Sequence, residues 1–210
     1  GPNGSPQVWF NAHFSKDPET IGVLDPSTGE VTVIEVPTPR QPDGGSTIPY
    51  GLRIDADGVV WGTQLLGNRL IRYDPATDQV GLFELPTSHS GPRRPDVAPD
   101  GRIWIPQFAA GKVAVFDPET EAFTEHALPV PDALPYIVRV AEDGMVWVAT
   151  GAADAVLRFD PRSMDWHVHP LPTRGALVRH MELDADGSAW IAYGNVPAID
   201  PKVAHIQILD

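Results

Sequence analysis

Cysteine is absent from the 210-residue chain, which excludes disulfides, thiolate nucleophiles and cysteine-ligated metals and leaves the redox compartment open. Lysine is almost missing: of 15 cationic residues, 12 are arginine, the side chain suited to fixed, bidentate recognition of anions. Positive charge is scarce altogether. The formal net charge of −13 argues against nucleic acid or an anionic membrane as a partner, since both select a basic face. No apolar run reaches the length of about 18 residues that marks a membrane-spanning helix, and no signal-peptide pattern opens the sequence. A soluble protein is expected, with a cytoplasmic or an exported location equally compatible. Phosphate-binding glycine loops and nucleotide fingerprints are also missing.

Turn residues, in contrast, are abundant: 23 prolines and 19 glycines. They recur at fixed places and so punctuate turns instead of marking disorder. Residues 48–86 define the unit. Shifted by 43 residues, Asp57-Gly58 falls on Asp100-Gly101, Asp143-Gly144 and Asp186-Gly187, and Trp61 falls on Trp104, Trp147 and Trp190. Asp74-Pro75 recurs at Asp117-Pro118 and Asp160-Pro161, and Leu85-Pro86 at Leu128-Pro129 and Leu171-Pro172. A period in the low forties with several short strand signals per period is the mark of a β-propeller blade. The fold class is therefore all-β, a propeller of four-stranded blades.

Five repeats are visible, roughly 1–48, 49–91, 92–134, 135–177 and 178–210, in one propeller domain or a fragment of one. In the second repeat, strand A is expected near 50–54, strand B near 59–63, strand C at 69–73 and strand D near 80–85. The first repeat lacks strand A and the last lacks strand D, so about eighteen strands are expected. The unpaired edges this leaves predict further blades, or another chain, completing the ring. The repeated tryptophan is expected to fill the seam between blades.

This strand order gathers the slot eleven residues before each Trp, the positions three or four after it, and the B–C and D–A loops on one face of the disc. Insertions near 13–19, within 37–48 and within 193–201 fall on that same face, which is how binding loops are deployed on a regular scaffold. Gathered there are His13, Tyr50, Gln64, Arg93, Gln107, Tyr136, Arg179 and His180, with Arg94 and Arg139 beside them. Arginines among tyrosines and amides on an acidic body form a local positive funnel, fitted to a carboxylate, phosphate or amide. The alternative is that they pair with Asp96 or Glu182 and plug the channel.

Weaker signals have simpler readings. His167-Val168-His169 aligns with an outer strand and reads as a solvated edge. Asp55-Ala56-Asp57-Gly58 and Asp184-Ala185-Asp186-Gly187 start like calcium loops but lack a glutamate at the twelfth position, so they read as turns. Ser88-His89-Ser90 has no nucleophile elbow around it. Asn3-Gly4-Ser5 is a minimal glycosylation triplet.

Pro49-Tyr50-Gly51-Leu52, the spacing of eleven to Trp61, Trp61-Gly62-Thr63-Gln64 and Gly67-Asn68-Arg69-Leu70-Ile71 resemble the repeat of the streptogramin B lyase (virginiamycin B lyase) family, and the resemblance runs through all five repeats. It implies a seven-bladed propeller and, for the family's namesake, a magnesium-dependent elimination that linearises a cyclic depsipeptide without consuming water. It implies a functional tyrosine at Tyr50. The family's essential histidines occupy the same slot in other repeats; here that slot holds Tyr50, Arg93, Tyr136 and Arg179, with His180 one residue later. Where the family carries carboxylates near the metal, three residues after the Trp, this chain has Gln64, Gln107, Thr150 and Tyr193.

Three functions follow as alternatives. One is a cofactor-free binding module that grips a small molecule or peptide through Arg93, Arg179, Tyr136, Gln64, Gln107, Arg94 and Arg139. Another is a C–O lyase in which Tyr50 with His180 or His13 moves protons, Arg93 and Arg179 hold the developing enolate, and magnesium takes part. The last is a structural propeller segment of a larger multidomain protein.

Overall fold

A computed structural model describes residues 6–13, 18–39, 45–195 and 199–208. The Asn3-Gly4-Ser5 triplet lies outside the described residues, as do parts of all three insertions. The described chain is all-β: eighteen strands in five antiparallel sheets, with no helix.

Two compact units divide it, Gly1–Pro92 and Arg93–Asp210. The first unit holds a three-stranded sheet of β1 (Val8–Asn11), β2 (Glu19–Leu24) and β3 (Val31–Val36). It also holds a four-stranded one of β4 (Pro49–Ile54), β5 (Val60–Gln64), β6 (Arg69–Asp74) and β7 (Gln79–Glu84). Strands A to D of the repeat thus stand where the sequence puts them, each end within one residue. The short apolar run of β5 is buried at every position, as an inner strand covered on both faces must be. Ile21, Ile34 and Val36 of the first sheet pack on Val60, Ile71 and Tyr73 of the second, and Trp9 lies 5.8 Å from the Tyr73 ring.

The second unit contains three sheets. The first comprises β8 (Asp96–Val97), β9 (Ile103–Gln107), β10 (Lys112–Asp117) and β11 (Ala122–Ala127). Next come β12 (Pro135–Val140), β13 (Val146–Thr150), β14 (Ala155–Asp160) and β15 (Asp165–Pro170). The last sheet has three strands: β16 (Leu177–Leu183), β17 (Ala189–Asn195) and β18 (Ile199–Ile206). Trp104 packs with Val138, Val146, Leu157 and Phe159 of the following sheet, and Trp147 with Val178, Met181 and Ile191 of the one after. Each indole fills a seam between blades, and truncating one to alanine would cost about 3–5 kcal/mol. Trp190, in the last sheet of the described residues, is 44% exposed.

The Asp-Gly motifs are turns. Asp55 Oδ1 accepts the amides of Asp57 and Val59 at 3.0 and 2.9 Å, while its Oδ2 accepts the Trp61 indole N–H at 2.8 Å. The reading of 167–169 as a solvated edge needs correction. His167 is exposed, but His169 is half-buried and stacks on Trp147 at 5.3 Å. The strand alternates, so one histidine faces water and its partner two residues on is turned against the blade's indole.

Candidate functional site

Strand A carries the same irregularity wherever it is long enough to show it. The register slips by one residue between Pro49 and Leu52, between Pro135 and Ile137, and between Val178 and His180. These bulges contain Tyr50, Tyr136 and Arg179, the slot eleven residues before each Trp. A β-bulge re-aims a side chain out of the alternating pattern, so the slot is a built feature of the blade.

In the third repeat the slot is made differently. Pro92 and Pro95 flank Arg93 and Arg94, and proline cannot donate to a ladder, so β8 shrinks to two residues. The Arg93 amide donates to the Pro106 carbonyl of its own sheet at 3.0 Å. The next residue bonds to the neighbouring sheet: Arg94 N to Tyr136 O at 3.3 Å and Val138 N to Arg94 O at 3.2 Å, a parallel bridge between Arg94 and Ile137.

Two successive arginines are thereby planted among aromatics. The Arg93 guanidinium carbon lies 3.8 Å from the Phe108 ring centre and 4.5 Å from that of Tyr136, and the two rings meet edge to face at 6.0 Å. Each such contact contributes about 0.5–2 kcal/mol. With rings against the guanidinium faces, its N–H groups in the plane are what remains for polar contacts. Arg94 lies 5.8 Å from the Tyr136 ring and donates from Nη1 to the Arg179 carbonyl at 3.0 Å. Tyr136 is only 6% exposed, so it holds the arginines more than it meets solvent. Arg179 and His180 are exposed and border a groove of about 500 Å³ shared with Leu177, Tyr193 and Lys202.

Arg139 does not join this group. It is 5% exposed, donates from Nη2 and Nε to Glu182 at 2.8 and 3.2 Å, and from Nη1 to the Val138 carbonyl at 2.8 Å. His180 Nε2 lies 3.4 Å from the same Glu182. Pairing with Glu182, the plug alternative, therefore describes Arg139. Asp96 accepts the Val140 amide at 2.9 Å.

Gln107 is fully buried, donating to Glu125 at 2.7 Å, and Lys112 holds the other Glu125 oxygen at 2.8 Å. In the first unit Gln64 is also fully buried and donates to Thr38 at 2.6 Å and Glu19 at 3.3 Å. Buried Glu19 also takes Ser46 Oγ at 3.0 Å and both the amide and hydroxyl of Thr47. Both amides tie blade strands together, and no dissolved ligand reaches them. The residue that sequence reasoning missed is Phe108, four positions after Trp104 on the loop side where the site was expected. Gly151 makes room beside it: a Cβ there would come within 3.4 Å of the Phe108 ring and 3.0 Å of Leu177.

The first unit contributes a second cluster. His13 and Tyr50 have ring centres 4.7 Å apart. Asn11 joins them, its Oδ1 2.9 Å from His13 Nδ1 and its Nδ2 donating to the Tyr50 carbonyl.

The magnesium of the lyase reading does not fit the described residues. No three His, Asp or Glu side chains converge there as a metal site, and the positions three after each Trp hold buried Gln64, Gln107, Thr150 and Tyr193. Magnesium requires hard oxygen ligands, usually including a carboxylate.

The four-stranded blades with a bulge at the same slot of strand A define a β-propeller. The family model of the Virginiamycin B lyase family matches residues 1–203, and the chain belongs to that family. Virginiamycin B lyase from Staphylococcus aureus is similar at 21% identity with a TM-score of 0.78, covering 96% of this chain and 67% of that one. A catalytically inactive variant of that enzyme with quinupristin is 20% identical at a TM-score of 0.78, over 97% of this chain and 67% of that one. Hydrazine synthase from Kuenenia stuttgartiensis is similar in fold, 20% identical at a TM-score of 0.66, over 75% of this chain and 45% of that one. No curated protein sequence matches the chain.

Proposed function

We propose that this protein is a ligand-binding propeller whose second unit holds a carboxylate- or amide-bearing small molecule or peptide through Arg93, Arg94 and Arg179. The observation that carries this reading is the Arg93 guanidinium set against Phe108 and Tyr136 at 3.8 and 4.5 Å. An arginine held by rings loses little side-chain freedom when it meets an anion, and preorganisation of this kind raises affinity. The half-buried Phe108 ring would contact the ligand body while the guanidiniums take its charge. The groove beside Arg179, about 500 Å³, is of a size that takes small molecules. Gln64, Gln107 and Arg139 are left out of this site because of their burial and partners.

Calorimetric titration with quinupristin and with a panel of small carboxylates tests the reading. Saturable binding of one of these, weakened at least about tenfold by Arg93→Ala, corresponds to the loss of a charge-assisted contact. The same substitution at exposed Arg162 should leave binding unchanged. Absence of saturable binding across the panel would sink the reading.

The His13–Tyr50 pair favours a second one. A histidine fixed at Nδ1 by Asn11 beside a phenol is suited to moving a proton in an elimination, where one group removes the α-proton and another protonates the leaving alkoxide. Chromatography of quinupristin incubated with the protein checks it, because the linear product has the mass of the substrate and differs only in retention. Turnover that survives both His13→Ala and Tyr50→Phe would exclude this pair as its source.

A further inference from the structure

The four Asp-Gly turns of the 43-residue repeat, all among the described residues, share one backbone and differ in what holds the aspartate. In each, the glycine amide donates to the carbonyl three residues back: Gly58 to Asp55 at 3.1 Å, and Gly101 to Ala98, Gly144 to Ala141 and Gly187 to Asp184 at 2.9 Å. The glycines have φ of 85°, 82°, 84° and 79°, so their conformations match. An Asp-Gly step is chemically exposed, because a residue without Cβ leaves its amide nitrogen open to the preceding side-chain carbonyl carbon.

Three of the four carboxylates are occupied. Asp100 accepts the Arg102 amide at 3.1 Å and its guanidinium at 2.7 and 2.8 Å. Asp143 accepts the Met145 amide at 2.9 Å and lies 3.6 Å from Arg158. Asp186 accepts the amide and hydroxyl of Ser188 at 3.0 and 2.6 Å. Burial acts to raise the Asp100 pKa, but the Arg102 bonds outweigh it and hold the group below the ordinary 3.8; the Ser188 hydroxyl and amide do the same for Asp186. Asp57 is exposed, and among the described residues no donor reaches its carboxylate. The amide that would bond to it, that of Val59, goes to Asp55 instead.

We propose that Asp57-Gly58 is a site of spontaneous isoaspartate formation, the reactive member of four otherwise equivalent turns. The Gly58 nitrogen attacks the protonated Asp57 carboxyl carbon; a C–N bond forms and the carboxyl oxygen leaves as water, carrying the amide proton. The resulting succinimide is opened by water at either carbonyl, restoring aspartate or rerouting the main chain through the side-chain carbon. Nothing is oxidised or reduced, and the final mass is unchanged. A carboxylate bonded to an arginine, a hydroxyl or a turn amide is held away from the orientation this attack needs, whereas that of Asp57 turns freely. The product lengthens the β4–β5 turn by one methylene beside a cavity of about 450 Å³ lined by Trp9, Asp55 and Asp74. It also creates the substrate of an enzyme class that methylates isoaspartyl carboxylates.

The test is to age the purified chain at physiological pH and temperature and to count isoaspartate at each turn by peptide mapping with electron-transfer fragmentation. Asp57 should convert about tenfold faster than Asp100, Asp143 or Asp186, the factor that one charge-assisted hydrogen bond corresponds to. In Arg102→Ala, the rate at Asp100 should rise toward that of Asp57. Equal rates at the four turns, a faster step at any other, or an unchanged Asp100 in the Arg102 variant would overturn the proposal.

Discussion

Trp147 is buried with its indole N–H unbonded, while Trp61 and Trp190 donate theirs to Asp55 and Asp184 at 2.8 and 2.7 Å. One period on from Asp55 and one before Asp184, the repeat has Ala98 and Ala141. The turn at Ala141 has the backbone bonds of the turn at Asp55: the residue's amide takes the carbonyl four ahead, and its carbonyl takes the glycine amide. Ala141→Asp should therefore place a carboxylate within reach of Trp147 and stabilise the protein by about 1 kcal/mol, read as a higher denaturant midpoint. An unchanged or lower midpoint would show that the tryptophan's environment cannot accept the group. Arg139 gives the opposite case, a buried cation already satisfied. Glu182→Ala leaves its guanidinium without two of its three bonds and should destabilise by about 1–3 kcal/mol, whereas Arg139→Met, which removes the charge along with its need for a partner, should cost less. Arg139→Met should leave ligand affinity unchanged, because Arg139 faces Glu182 and not the Arg93 cluster. A drop in affinity with Arg139→Met would return this residue to the site.

At the scale of strands, two half-buried histidines are set into blade seams. His126 on β11 stacks on Trp104 at 5.8 Å and lies 5.0 Å from Phe159 of the next sheet; His169 on β15 stacks on Trp147. Burial lowers the pKa of both below the ordinary 6.5, assisted by the positive charge of Arg102 near His126 and of Arg158 and His167 near His169. The unfolded chain thus takes up protons near 6.5 that the folded seams resist. Unfolding free energy should be at its plateau above that value and fall as pH drops through it, levelling off once the folded-state histidines also charge. The turn aspartates, Asp74 and Asp160 among them, are held below 3.8 by turn amides and act only in a more acidic window. Urea melts across this pH range should show a slope that is reduced in His126→Phe and His169→Phe; a slope unchanged in both variants would remove the seams as its source. The same strands show what the sequence can and cannot tell. Strand positions were legible because Asp-Gly, Asp-Pro and Leu-Pro keep a fixed period. Strand B was expected to end near 63 and ends one residue later at Gln64, but the burial of Gln64 and Gln107 was not legible, since pleat and neighbouring strands decide which way a strand-end side chain turns. The bulges at Tyr50, Tyr136 and Arg179 were invisible for a related reason: register is a relation between two strands. Phe108 fell within the positions named as site-facing, yet its role depends on Arg93 lying against it, a contact that no spacing within one repeat encodes.

For the whole chain, the balance lies between exposed apolar sheet faces and a large net charge. In the first sheet Val8, Phe10, Val31 and Val33 are 50%, 39%, 52% and 58% exposed; in the last, Trp190 and Val203 are 44% and 69% exposed. Tryptophans at the equivalent place in the second to fourth repeats are at most 2% exposed, so these faces present what other blades bury. Contiguous apolar surface of this kind favours association, and at about 25 cal/mol per Å² even a few hundred Å² covered would outweigh a modest electrostatic cost. That cost is real here, since each copy carries a net charge of −13 and like-charged bodies repel until salt shortens the screening length to about 8 Å near physiological ionic strength. Light scattering of the purified chain should therefore show a mass that rises with protein concentration, and rises more steeply as salt is added. Replacing Phe10 and Val203 by lysine should suppress the rise, since a charge on each face opposes its burial. A monomer at every concentration and salt would mean that the faces are covered by the chain itself, and that its charge is not what keeps copies apart.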